Sequence, residues 1–139
     1  MTSEKKVIYS SSNTYSVLNN YTKKTKNVWI VFHGLGYLSK YFINYFSKVN
    51  TEENYIIAPQ APSKYYQGKD FKHVGASWLT KVNTLEETKN IMKYVDEVYK
   101  SEINSTTKND PTVFTTSSPN PVATAPPILL SINNPDPII

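Results

Sequence analysis

The feature that most constrains the fold is an unbroken apolar run at residues 28–32, Val-Trp-Ile-Val-Phe, which ends at a His-Gly-Leu-Gly turn. A half-exposed strand alternates apolar and polar residues, whereas an unbroken run is typical of a central parallel strand covered on both faces. Glycine at positions 34 and 36 lets the chain turn sharply and brings bare backbone N–H groups close to a ligand. The pattern predicts a buried strand followed by a turn that suits an oxyanion hole, although a turn that merely leaves the sheet would also use glycine.

Two further motifs follow in order. The apolar residues 55–57 lead into Ala-Pro-Gln-Ala-Pro at 58–62, and Gly-Ala-Ser-Trp follows at 75–78. Together the three motifs resemble the phospholipase/carboxylesterase family of serine α/β-hydrolases, which includes the acyl-protein thioesterases. The resemblance covers residues 28–78 and implies an α/β fold class: the amino-terminal half of an α/β-hydrolase sheet, with a hairpin followed by parallel strands and crossover helices.

The resemblance also implies roles for the turn after the first apolar run. The backbone N–H of Leu35 is expected to be one oxyanion donor, and His33, Gly34 and Gly36 are expected to shape the loop. An equally simple interpretation is that His33 only caps the strand by hydrogen-bonding to backbone. In neither interpretation is it the catalytic histidine of the family.

By the same resemblance, Pro62, Tyr65 and Trp78 are expected to contact the acyl substrate. The alternative for Trp78 is a place in the core, because a large aromatic ring is buried in most folds. The implied partner is a small acyl ester, and neither a cofactor nor a metal is expected.

The catalytic residues of the family are missing from this sequence. Members place their serine in a Gly-x-Ser-x-Gly turn between a strand and a helix. Here the stretch after a possible strand at 111–115 continues Thr-Ser-Ser-Pro-Asn-Pro, no glycine follows Gly75, and no histidine follows Phe114. We therefore predict no catalytic serine, no triad histidine and no esterase turnover by this chain.

The flanking segments predict four further elements. Residues 6–11 and 14–18 are β-like and predict an opening hairpin, while the apolar spacing of residues 38–49 predicts a helix. Residues 60–82 are expected to form a long loop that walls a pocket. A helix is expected from Thr84 to about residue 103, started by a capping box between Thr84 and Glu87.

The composition changes abruptly at residue 104. Seven of the nine prolines lie in the segment 104–139, which has no glycine and is rich in Ser, Thr and Asn. Proline at this density opposes helices and interior strands. We therefore expect a partial hydrolase domain at 1–103 and a mostly disordered tail at 104–139.

Two hypotheses explain such a tail. In the first, the chain is a truncated or frame-shifted serine hydrolase. In the second, it is a noncatalytic binding protein built on part of a hydrolase scaffold. Half a sheet leaves strand edges exposed, so the first hypothesis also predicts self-association through a sheet edge.

Charge and composition exclude several other functions. The net charge of +4 comes from 15 scattered lysines with no arginine, which indicates a solvated surface and no nucleic-acid partner. Absence of cysteine excludes thiolate chemistry, and two histidines are too few for a zinc site. The sequence shows neither a secretory signal nor a membrane span, so a cytoplasmic protein is expected.

Overall fold

The computed structural model describes residues 1–108 and 128–132. Its main sheet contains β2 (Asn27–Phe32) and β3 (Asn54–Pro59), which pair in parallel. Between them the chain forms a short helix α1 (Ser39–Phe42) and a 3₁₀ helix (Ile43–Phe46). The predicted order of strand, helix and strand is confirmed, with a shorter helix than the apolar spacing of 38–49 suggested.

Helices cover both faces of β2 and β3. Side chains alternate between the faces of a strand, so each strand contributes to two separate clusters. One cluster packs against a long helix α2 (Thr84–Lys108), and the other packs against α1 and the 3₁₀ helix. The α2 cluster contains Val28, Ile30, Tyr55, Ile57 and Val98, and the α1 cluster contains Val31, Phe42, Ile43, Ile56 and Ala58. The apolar run is therefore buried on both sides, as expected.

Two more strands complete the sheet in the order β1-β3-β2-β6. β1 (Tyr15–Leu18) pairs antiparallel with β3, and β6 (Ile128–Ile132) pairs in parallel with the other side of β2. β2 thus has a hydrogen-bonded neighbour on each side. This mixed sheet with helices on both faces confirms the α/β class.

The expected opening hairpin is wrong. Residues 6–11 form no strand and are exposed, and β1 pairs with β3 instead. Asn13, which lies between the two segments expected to form the hairpin, instead donates from its side-chain amide to the Gln60 carbonyl oxygen at 2.7 Å. β1 thus borders a strand that is buried from Tyr55 to Pro59.

The expected long loop at 60–82 is also wrong in part. β4 (Ser63–Gln67) and β5 (His73–Ser77) form an antiparallel hairpin that is separate from the main sheet. Every residue of β4 is exposed, so no alternation of apolar and polar residues marks this strand.

Helix α2 begins at Thr84 as predicted, but the capping box is absent. The Thr84 hydroxyl donates to the Thr80 carbonyl oxygen at 2.7 Å, and the Glu87 carboxylate accepts from the Thr80 N–H at 3.1 Å. The helix continues to Lys108, and β6 also lies within the segment expected to be a disordered tail. The remainder of that segment, including the strand expected at 111–115, lies outside the described residues.

The carboxyl-terminal part of α2 is bound to the sheet by a buried polar contact. The Tyr55 hydroxyl donates to Glu102 Oε2 at 2.5 Å, and these residues are only 7% and 8% exposed. Burial, and then the hydrogen bond to the Glu102 carboxylate, raise the pKa of the Tyr55 phenol above its usual value. The phenol therefore stays protonated and keeps donating to the carboxylate.

We predict that Tyr55→Phe destabilises the protein by about 1–3 kcal/mol, because it removes the phenol that donates to a buried carboxylate. Tyr41, which is 62% exposed, provides a matched control. Tyr41→Phe should change the unfolding free energy by no more than about 0.5 kcal/mol. Urea unfolding measures both, and equal midpoints for the two variants would show that the Glu102 contact contributes nothing.

Candidate functional site

The His-Gly-Leu-Gly turn lies at the carboxyl end of β2. After this turn the chain passes over one face of the sheet through α1 and reaches β3 on one side of β2. Helix α2 covers the other face and precedes β6, which pairs with the opposite side of β2. In open α/β sheets, ligands bind outside the carboxyl ends of the strands at such a switch point. Phe32 is paired with Ile132, so the turn begins next to the end of β6.

His33 is fixed in one neutral form. Its side chain is 2% exposed, and Nε2 accepts a hydrogen bond from the Ala61 N–H at 3.1 Å. Because a backbone N–H can only donate, the ring proton must lie on Nδ1, which donates to the Gly34 carbonyl oxygen at 2.9 Å. Burial lowers the pKa of His33, against the opposing effect of its bond to Gly34. The ring connects the turn to the chain after β3 and has no nitrogen left for proton transfer.

These bonds orient the peptide unit that joins Gly34 to Leu35. The Gly34 oxygen accepts from the His33 ring and also from the Tyr37 N–H at 3.2 Å. In a trans peptide the C=O and N–H point in opposite directions, so the Leu35 N–H points away from both donors. Within the part of the chain that the structure describes, this N–H has no hydrogen-bond acceptor, and the Leu35 side chain is 72% exposed.

Gly36 shapes the turn but has no free donor. Its φ of +83° lies in the left-handed region, where a side chain would be strained. Its N–H donates to the Ala76 carbonyl oxygen on β5 at 3.0 Å. Of these two N–H groups, only that of Leu35 lacks a hydrogen-bond acceptor among the described residues.

Gln60 is a buried residue of this site that the sequence did not single out. It is 3% exposed, and its Oε1 accepts from the Ser39 N–H at the start of α1 at 2.9 Å. Its amide nitrogen donates to the Ala61 carbonyl oxygen at 3.1 Å and lies 3.4 Å from His33 Nε2. The available signal was a lone amide side chain between two buried apolar positions, where burial requires hydrogen-bond partners.

Two of the three expected substrate contacts lie at the turn. The Tyr65 hydroxyl lies 3.6 Å from the point where a Cβ on Gly36 would be, whereas Pro62 is exposed. The Trp78 indole N–H donates to the His33 carbonyl oxygen at 2.8 Å, and its ring packs against Phe32 and His33 with centroid distances of 5.2 and 5.4 Å. Trp78 therefore stabilises the turn through its hydrogen bond to the His33 oxygen and its packing against the His33 ring.

We predict that acid weakens the fold through His33. In the unfolded chain a histidine titrates near pH 6.5, whereas burial holds the folded pKa lower, so the unfolded state binds the proton first. The stabilisation is complete above about pH 6.5 and is lost as the pH falls toward the folded pKa. Urea unfolding at about pH 7.5 and about pH 5.5, where most carboxylates stay ionised, should show the decline.

The two histidines provide a matched pair for this test. His33→Gln keeps an oxygen that can accept from Ala61 but cannot titrate, so the decline should flatten. His73 is exposed on β5, and His73→Gln should leave the decline unchanged. An identical pH dependence in His33→Gln and the wild type would rule out His33 as the cause.

Neither a protein-family model nor a curated protein matches the chain. Within residues 1–108 and 128–132, the structure contains no helix long and apolar enough to cross a membrane. The same residues bring together no group of three His, Cys, Asp or Glu side chains that would hold a metal ion.

Proposed function

We propose that this chain carries the oxyanion half of a serine carboxylesterase/phospholipase-like site and, in this form, no catalytic half. The observation that carries the proposal is the Leu35 N–H at the switch point of the sheet, which has no hydrogen-bond acceptor among the described residues. Three sequence motifs in family order support the same conclusion. The chain is, in this proposal, a truncated or frame-shifted hydrolase of carboxylic esters or thioesters.

The Leu35 N–H suits one specific step of that chemistry. When a nucleophile attacks an ester carbonyl, the carbonyl oxygen becomes an oxyanion, and a preoriented N–H stabilises the charge as it forms. α/β-hydrolases take a second donor from the residue after the nucleophilic serine. The sequence has no Gly-x-Ser-x-Gly turn, so neither the nucleophile nor this second donor is supplied.

The sizes of the two rate effects show what one oxyanion donor achieves alone. An oxyanion donor contributes about 10²–10³ in rate, whereas removing the nucleophile costs about 10⁶. The surviving donor cannot offset that loss.

The proposed ligand class is a small acyl ester. Leu35 presents an apolar side chain to solvent beside its own N–H, and the hydroxyl of the 40% exposed Tyr65 lies next to Gly36. The family resemblance also implies contacts from Pro62 and Trp78, and the Trp78 ring, which packs against Phe32 and His33, would act by holding the turn.

We predict that the purified chain hydrolyses p-nitrophenyl butyrate no faster than buffer alone. A fluorophosphonate probe should leave the protein mass unchanged, because no serine is activated by a neighbouring histidine. Absorbance of released p-nitrophenol and intact-protein mass spectrometry measure the two outcomes. Turnover that the probe blocks, together with one phosphonate adduct, would show that a working nucleophile is present.

A noncatalytic binding protein is the second candidate. The observation that favours it is that β2 is paired on both sides and covered by helices on both faces, so the described residues already form a layered sheet. A binding role would then use the same turn without chemistry.

The coding DNA distinguishes the two candidates. We predict that reading codons 100–139 and the bases beyond in the other forward frames yields Gly-x-Ser-x-Gly, followed by an aspartate and a histidine. Resequencing and three-frame translation measure this. Closed alternative frames would make the proline-rich segment authentic and would favour the binding protein.

A further inference from the structure

The β4–β5 hairpin contacts the oxyanion turn at Gly36. The amide nitrogen of Gln67 at the end of β4 donates to the Gly36 carbonyl oxygen at 2.8 Å. From β5, the Ala76 carbonyl oxygen accepts from the Gly36 N–H at 3.0 Å. The hairpin therefore holds both peptide units that flank the Gly36 Cα.

The two backbones approach so closely that only glycine fits at the contact. A Cβ on Gly75 would lie 2.6 Å from the Gly36 oxygen and 2.7 Å from the Gly36 Cα, inside any real contact distance. A Cβ on Gly36 would lie 2.5 Å from the Gln67 amide nitrogen. A side chain at position 75 would therefore push the hairpin away from the turn.

Three consecutive peptide units of the turn are consequently fixed by different parts of the chain. The unit from Gly34 to Leu35 is held by the His33 ring and the Tyr37 N–H. The next two units are held by Ala76 and Gln67 of the hairpin. A donor that is fixed before the reaction loses no free energy in reorienting, which is the main source of oxyanion stabilisation.

We propose that Gln67 is a positioning residue for the Leu35 N–H, acting through Gly36, and that the β4–β5 hairpin serves as the rigid support of the oxyanion turn. The proposal rests on the oxyanion role of Leu35 only for its functional meaning. The structural contact that it describes can be tested separately.

The test measures amide hydrogen exchange by NMR in the full 139-residue chain. Gln67→Met keeps the length of the side chain but removes the donor. Lys64→Met is the matched control, because Lys64 is an exposed residue of the same strand with no hydrogen bond to the turn among the described residues. Gly75→Ala is a second variant, because its Cβ would lie 2.6 Å from the Gly36 oxygen and 2.7 Å from the Gln67 amide nitrogen and would therefore displace the contact between them.

In Gln67→Met we expect the Gly36 and Tyr37 amides to exchange about fivefold faster than in Lys64→Met, which corresponds to the loss of a hydrogen bond of about 1 kcal/mol. Gly75→Ala should accelerate the same two amides. In urea unfolding, the unfolding free energy of Gln67→Met should be lower than that of Lys64→Met by no more than this one hydrogen bond, because the contact belongs to the folded state. Equal exchange rates of the Gly36 and Tyr37 amides in the two variants, or an acceleration of these amides that is no greater than that of the β2 and β3 amides, would overturn the proposal.

A butyrate titration separates this inference from the proposed function. Butyrate presents a carboxylate to the turn, and the Leu35 amide resonance should shift in the wild type and in Lys64→Met but shift less in Gln67→Met. Absence of a shift in the wild type would contradict the oxyanion role of Leu35, while the exchange rates would still decide the role of Gln67. A full wild-type shift in Gln67→Met would overturn the positioning role.

Discussion

The two-sided burial of β2 is the constraint on which the rest of the structure depends. An apolar strand whose two faces are both buried needs a helix on each face and a strand on each edge. The described residues supply these two helical layers and two neighbouring strands. The chain must therefore cross the sheet once on each face, so the strands on the two sides of β2 are reached over opposite faces of the sheet. The carboxyl end of β2 is the point where the direction of crossing changes. Because His33 follows β2 directly, the burial of the strand also determines where the turn lies.

The buried polar groups at this end of the sheet explain why the turn has one shape. His33, Ser39 and Gln60 are each at most 3% exposed, and no buried side-chain nitrogen or oxygen among the described residues lacks a partner. In an interior of low dielectric, an unpaired polar group costs more than a hydrogen bond returns. A different orientation of the Gly34 carbonyl would leave His33 Nδ1–H unpaired, so the Leu35 N–H keeps its direction away from the His33 ring.

The sequence predicted the elements whose stability comes from burial. The apolar runs of β2 and β3 indicated parallel central strands, and the glycines after β2 indicated the turn. β4 was missed because all five of its residues are exposed, so its sequence does not alternate between apolar and polar residues as a strand with one buried face does. Gln67 was missed for the same reason, since its partner is a backbone carbonyl 31 residues away and no local spacing marks it. Residues 6–11 show the opposite case, in which a strand was predicted and none formed. Their composition is β-like, but they pair with no strand among the described residues.

The described hydrogen bonds of the turn all come from one part of the chain. Every described group that hydrogen-bonds the turn lies between residues 33 and 78, from the His33 ring to the Trp78 indole. Helix α2 reaches this end of the sheet through Tyr94, whose hydroxyl donates to the Thr14 oxygen at 2.7 Å and accepts from the Gln60 N–H at 3.2 Å. A change of sequence after α2 would therefore remove none of the described hydrogen bonds that hold the turn. In the proposed function, this is why a donor at Leu35 persists without the rest of a catalytic site, because the hydrogen bonds that orient it come from residues 33–78.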